Sequence, residues 1–159
     1  MKIFTFHKGG IHPAERKLTA ELPIRPAPAA PVLTLLLSQS IGAPSKPVVK
    51  VGERVAAGQP VAEPGGFVGA WIHSPCAGVV KKIERVRTAQ GYPADALVIE
   101  RDAESGERYA YPGLDPAQAS SEEIVARVRE CGIVGLGGAT FPTAVKLVPP
   151  EGMTPECVI

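Results

Sequence analysis

No apolar run in this chain reaches the ~18 residues that a membrane-crossing helix needs. The longest candidate, residues 31–37, is the length of a strand. The opening MKIFTFHKGG has neither the apolar stretch nor the small-residue cleavage site of a signal peptide, so none is expected. Cysteine is scarce. Cys76, Cys131 and Cys157 are odd in number and far apart, and no C-x-x-C pair marks a zinc or iron–sulfur site. That usage suits a reducing compartment, and each cysteine reads as a small buried apolar residue. His7 and His12 flank Gly9-Gly10 with no acidic cluster nearby, so no metal site is expected there. A net charge of +1 removes the electrostatic case for nucleic acid. The basic run from Lys81 to Arg87 is short enough to be one solvated strand face.

Turn residues, by contrast, are abundant: 17 glycines and 17 prolines in 159 residues. This is below the level of a disordered chain and points to many turns and short strands. Hydrophobic residues make up 45%, enough at this length to bury a real core. Pro23, Pro26, Pro28 and Pro31 predict an extended connector that cannot be helical. Strands are expected at Ile3–Phe6, Val32–Leu37, Val48–Val51, Val55, Pro60–Glu63, Trp71–His73, Val79–Val86 and Leu97–Glu100, with turns at Ser40–Pro44, Gly52-Glu53, Gly58-Gln59, Gly65-Gly66 and Ala77-Gly78. Trp71 is expected in the core or rim, and His73 beside Ser74-Pro75 as a strand-end side chain with a backbone partner.

Short strands with frequent turns predict a small all-β barrel or sandwich over 32–101. Within it, Val51-Gly52-x-x-Val55-x-x-Gly58-Gln59 and Ser74-Pro75-x-x-Gly78-x-Val80 each read as a tight turn feeding a strand, one on either side of Gly65-Gly66. This faint symmetry resembles the biotinyl/lipoyl-type barrel-sandwich hybrid. Carriers of that fold attach biotin or lipoate to a lysine at the hairpin tip. Here no lysine occurs from Val51 to Val80, which argues against a carrier and for a structural or docking module.

Residues 102–118 form a polar connector with Tyr109, Tyr111, Pro112, Gly113 and Pro116. A helix is expected over about 120–131: Ser120 with Glu123 makes a capping box, Ile124, Val125, Val128 and Cys131 share one side, and Gly132 suits the C-terminal stop. Then comes GIVGLGGATFPTAVK, residues 132–146, with four glycines in its first seven positions. Where regular structure is intended, each would cost roughly 0.5–1 kcal/mol relative to alanine. Such a loop serves where backbone must take φ > 0 or approach a ligand, and gathered N–H groups favour an anion, phosphate above all. The preceding helix presents its negative dipole end, so phosphate binding would rest on the loop itself, on Lys146, or on a short helix after Pro142.

Three stretches resemble the C subunit of the Rnf electron-transport complex, the ion-translocating ferredoxin:NAD oxidoreductase. They are Phe6-His7-Lys8-Gly9-Gly10-Ile11-His12-Pro13; Ser38-Gln39-x-Ile41-Gly42-Ala43-Pro44 with Pro47-Val48-Val49-Lys50-Val51-Gly52 and His73-Ser74-Pro75-x-x-Gly78; and Gly132–Thr143. The last is similar to the flavin loop of the NADH-oxidising flavoprotein of respiratory complex I, which carries an arginine where Leu136 stands and a glycine where Thr140 stands. The resemblance implies a mainly β protein: an N-terminal extended segment (1–31), the barrel-sandwich hybrid (32–101), a connector (102–118), and the first helix and glycine-rich loop of an incomplete α/β FMN/NADH-binding domain (119–159).

It further implies that Gly135, Gly137, Gly138, Ala139 and Thr143 approach FMN with backbone or hydroxyl, that Phe141 packs near the cofactor, and that Lys146 neutralises its phosphate. NAD(H) would be the substrate and other subunits of a membrane redox complex the partners, with ferredoxin or flavodoxin engaged indirectly, on the cytoplasmic side of a bacterial inner membrane. The family's two [4Fe–4S] clusters need a cysteine-rich module absent from these residues, so the chain is expected to look truncated and to be inactive alone. No catalytic side chain is assigned. The other readings are a flavin-dependent cobalamin reductase-type protein and a non-enzymatic docking or assembly module.

Overall fold

A computed structural model describes residues 14–153. The expectations for residues 3–6, for His7 and His12, and for Cys157 lie outside these. Among the described residues, seven strands build two antiparallel sheets. In the first, β1 (Val32–Leu36), β7 (Pro93–Arg101), β6 (Gly78–Arg87) and β3 (Arg54–Val55) lie in that order; in the second, β2 (Lys46–Pro47), β4 (Pro60–Glu63) and β5 (Ile72–His73). Two helices follow, α1 (Ser121–Glu130) and the single turn α2 (Thr143–Lys146).

The sheets close on one core of Leu37, Val49, Val55, Val61, Ile72, Cys76, Val80, Leu97 and Ile99, with Leu33 and Leu35 packed against it. Ala96, Leu97, Val98 and Ile99 are buried in succession on β7, which pairs with β1 on one side and β6 on the other. A side chain of this kind taken fully out of water contributes roughly 1.5–3 kcal/mol. Buried Ser74 is satisfied: its hydroxyl donates to the Cys76 carbonyl at 2.6 Å, and its N–H donates to the Gln59 carbonyl at 2.8 Å.

The two similar turn motifs pair with each other. Arg54 sits opposite Val79 and Val55 opposite Gly78. Gly52 N–H donates to the Val80 carbonyl, Val80 N–H to Glu53, and Gly58 N–H to Ser74. The sequence symmetry is therefore a pairing rule for the centre of the barrel.

Three strand expectations shift. Val48–Val51 is not a strand. Pairing occurs earlier, at Lys46–Pro47, and the chain then turns as Lys50 N–H donates to the Glu53 carboxylate at 2.9 Å. Pro47 is tolerated because β2 is a sheet edge. The run Val79–Val86 is a strand but is buried only at its start. A register shift between Val80 and Lys82 leaves Lys81 as an extra residue, and the strand continues outward as an exposed ribbon paired to β7. Strand β7 begins at Pro93, four residues before the apolar run, because β6 supplies partners for Pro93–Ala96. The Gly65 turn is not a free hairpin tip either. A Cβ there would lie 2.0 Å from the Pro44 carbonyl oxygen, so this loop nests on the turn that precedes β2.

Helix α1 carries the expected capping box: Ser120 Oγ accepts from Glu123 N–H, and the Glu123 carboxylate accepts from Ser120 N–H. The helix stops at Gly132, whose φ is +64°. A Cβ at this glycine would meet the Trp71 carbonyl oxygen at 2.3 Å, so the helix C-terminus lies directly on β5 and its approach. Trp71 is half-buried there, at the rim.

Candidate functional site

After Gly132 the chain makes a closed loop. Val134 bridges to Pro142, Gly135 N–H donates to the Phe141 carbonyl at 2.9 Å, and Thr143 N–H donates to the Ile133 carbonyl at 2.9 Å. Inside this neck, Thr140 N–H donates to the Gly137 carbonyl at 3.2 Å. Pro142 sits at the N-cap of α2 rather than in its first turn. The loop seats on the barrel through the turn after β1. Ile41 N–H donates to the Ala139 carbonyl at 3.2 Å, and Thr140 Oγ1 donates to the Gln39 carbonyl at 3.0 Å.

The structure brings Gly135, Phe141 and Lys146 together. Lys146 Nζ lies 5.6 Å from the Phe141 ring centroid, and 3.5 Å from where a Cβ on Gly135 would be. Gly137, Gly138 and Ala139 form the exposed outer turn. Gly135 and Thr143 have committed their N–H groups, so what they can offer a ligand is a bare Cα and a hydroxyl, respectively. The N–H groups of Leu136, Gly137, Gly138 and Ala139 have no protein acceptor among the described residues. These four consecutive N–H groups are open to an acceptor from outside the described residues, and the Lys146 ammonium lies at the neck of the loop beside Gly135. Beside it, Phe67, Phe141, Val145, Lys146, Pro149 and Met153 border an open groove of about 640 Å³.

The loop glycines differ from the structural ones. Gly135, Gly137 and Gly138 do not have φ in the left-handed region, and an added Cβ meets nothing within 4 Å at Gly137 or Gly138. Packing among the described residues therefore does not require glycine at those two positions.

Sequence reasoning missed the tie between connector and helix. Tyr111 Oη donates to the Glu130 carbonyl at 2.9 Å, and His73 Nε2 lies 2.9 Å from the same phenol oxygen. With the phenol proton directed at Glu130, the phenol oxygen accepts from His73 Nε2–H, and the Glu130 carbonyl is the backbone partner expected for His73. Burial lowers the His73 pKa below its ordinary value, opposed by the Glu130 carbonyl. Burial likewise raises the Tyr111 phenol. Arg127 donates to the Pro112 carbonyl at 2.6 Å, and its guanidinium lies 5.4 Å from the Tyr111 ring centroid. No one-dimensional pattern announces a contact among residues 73, 111, 127 and 130; the tyrosines of a polar connector were the available signal.

Among the described residues, no group of three or more His, Cys, Asp and Glu could hold a metal ion. Cys76 is buried with its thiol pKa raised by that burial, and Cys131 caps α1. These residues do not fit an iron–sulfur cluster. No helix among the described residues is long and apolar enough to cross a membrane.

Two small antiparallel sheets around one core, with a helix and glycine-rich loop docked at one end, define a barrel-sandwich hybrid bearing an appended loop module. The profile of the RnfC barrel sandwich hybrid domain matches residues 4–104, and the chain belongs to that family. It is 40% identical over 157 residues to the C subunit of the Na(+)-translocating ferredoxin:NAD(+) oxidoreductase complex of Acetobacterium woodii, covering 96% of this chain and 35% of that protein. It is 42% identical over 143 residues to the C subunit of an ion-translocating oxidoreductase complex of Rhodobacter capsulatus, covering 88% and 28%. It is 39% identical over 145 residues to the C subunit of the proton-translocating ferredoxin:NAD(+) oxidoreductase complex of Clostridium ljungdahlii, covering 90% and 32%. The chain thus spans about a third of the length of these curated relatives.

Proposed function

We propose that this chain is the N-terminal portion of an RnfC protein that passes electrons between ferredoxin and NAD within a membrane-associated, ion-translocating complex, and that residues 132–146 are one wall of its FMN site. The relatives' names support the complex and its substrates. The 96% coverage by the Acetobacterium protein leaves too few residues over to omit the loop. One observation carries the FMN reading: Gly137 and Gly138 are glycines that the packing of the described residues does not need, set among four N–H groups with no protein acceptor among those residues. Backbone left bare on its outer side suits close approach by a ligand.

In this reading the N–H groups of residues 136–139 and Lys146 hold the phosphate. Phe141 and the groove beside it supply an apolar face for the ring, and Thr143 contributes its hydroxyl. When bound, FMN supplies the exchange of a hydride for single electrons; the chain's residues bind and orient it. The barrel (32–101) is a platform, the connector (102–118) ties it to α1, and residues 119–159 begin the FMN/NADH unit. The [4Fe–4S] clusters of the complex take their cysteines from outside these residues. The chain lies at the cytoplasmic face of a bacterial membrane, held there by other subunits. Alone, it turns over no NADH; measurable NADH:acceptor reductase activity of the purified chain would refute this.

The test is an NMR titration of the chain with FMN, riboflavin and inorganic phosphate. FMN should shift the amides of Leu136–Ala139 with a Kd of about 0.1–1 mM, weak because a single wall contributes few contacts. Riboflavin should leave them in place. Lys146→Gln should weaken FMN about tenfold, as expected for loss of a charge-assisted contact. Unmoved loop amides at millimolar FMN, or equal shifts by riboflavin, would overturn the site. A docking role within the complex accompanies this reading, supported by exposed Leu136, Val148 and Met153 around the same face. Co-purification with the other subunits, lost on Leu136→Glu, checks it.

A further inference from the structure

Thr140 is the only non-glycine among the described residues with φ in the left-handed region, at +44°. A β-branched side chain is an outlier there, and such strain persists only where surrounding contacts hold it. The contact in question spans 101 positions of sequence: Thr140 Oγ1 donates to the Gln39 carbonyl at 3.0 Å. The adjacent bond runs the other way, from Ile41 N–H to the Ala139 carbonyl at 3.2 Å. One bond from loop to barrel and one from barrel to loop fix both the spacing and the tilt of the two segments. Dense packing does not do this job, because a cavity of about 150 Å³ lies behind the contact, lined in part by Gln39, Ser40, Trp71, Val134 and Thr140.

We propose that Thr140 is a positioning residue: its hydroxyl clamps the glycine-rich loop onto the turn after β1, so that the barrel sets the direction in which the free N–H groups of residues 136–139 point. Its consequence for ligand binding rests on the FMN reading above; the clamp itself does not. Glycine at 140 would relieve the backbone but lose the hydroxyl. Valine would keep the shape and lose it, and serine would keep it.

Amide hydrogen exchange on the full 159-residue chain, with FMN titration by NMR alongside, tests the assignment. In Thr140→Val and Thr140→Gly, exchange at Ile41 should rise about fivefold, the effect of one lost hydrogen bond. Leu97 and Ile99 should exchange as in the wild type, and Thr140→Ser should restore Ile41. Unchanged Ile41 exchange in Thr140→Val, or a rise shared by Leu97 and Ile99, would overturn the clamp. In the FMN arm, the loop-amide shifts should need more ligand in the valine and glycine variants and be restored by serine. Equal affinity in the valine variant and the wild type would overturn the positioning role. Failure of FMN to move the wild-type amides would remove the FMN reading, while the exchange data would still decide the clamp.

Discussion

Gly132 and Gly137 lie five positions apart and do opposite things. Gly132 is held by its own chain, with φ at +64° and the Trp71 carbonyl where a Cβ would be. Gly132→Ala should cost more than about 2 kcal/mol, since the left-handed region alone costs an L-residue roughly 1–2 kcal/mol. Gly137→Ala meets nothing within the fold. It should leave stability unchanged or raise it by up to ~1 kcal/mol, because alanine has fewer unfolded conformations to lose, while weakening FMN. Urea unfolding of both variants, with the FMN titration, separates the two kinds of glycine. The helix stop at Gly132 was legible from its place after α1, but that the Trp71 carbonyl stands beside it and nothing stands beside Gly137 was not, because one letter does not encode its neighbours.

His73 gives a pH dependence of definite sign. Its pKa in the fold lies below the ordinary 6.5 because burial disfavours the imidazolium. The unfolded chain therefore binds the proton more readily. The stability this contributes is complete above pH 6.5 and is lost as pH falls through the lowered folded value. The difference in unfolding free energy between wild type and His73→Gln, from urea curves, should shrink between about pH 7.5 and pH 5. A difference that grows on acidification would contradict the assignment.

Among the elements, α1 was the most legible. Its capping box and glycine stop are local and stand as read, while its apolar side is only half-buried, with no residue of the helix fully buried. Ser120→Ala should cost about 1 kcal/mol in urea unfolding, from the loss of one satisfied N–H at the helix start. The short strands were less legible. Val48–Val51 has strand composition, yet the Lys50–Glu53 turn takes it and pairing moves to Lys46–Pro47. Val79–Val86 alternates correctly, but alternation reports periodicity and not the presence of a second sheet to pack against, so most of β6 is exposed. Two-residue strands such as β3 and β5 exist only because the core holds them in register.

For the molecule as a whole, stability rests on the one core shared by both sheets. Leu97→Ala removes a fully buried side chain at the centre of β7 and should cost about 2–5 kcal/mol in urea unfolding. It should also loosen the loop, since the turn that seats it follows directly from β1, the neighbour of β7. By itself, the sequence determined the β-rich class, the two similar turn motifs, the capped helix and the glycine-rich stretch, because each is written in residues close along the chain. Only the tertiary structure decided which glycines the fold needs, that Gly135, Phe141 and Lys146 meet, that Tyr111 joins His73 to the end of α1, and that Thr140 reaches Gln39. Those are contacts between distant positions, and their energy depends on burial and approach, which no local spacing records.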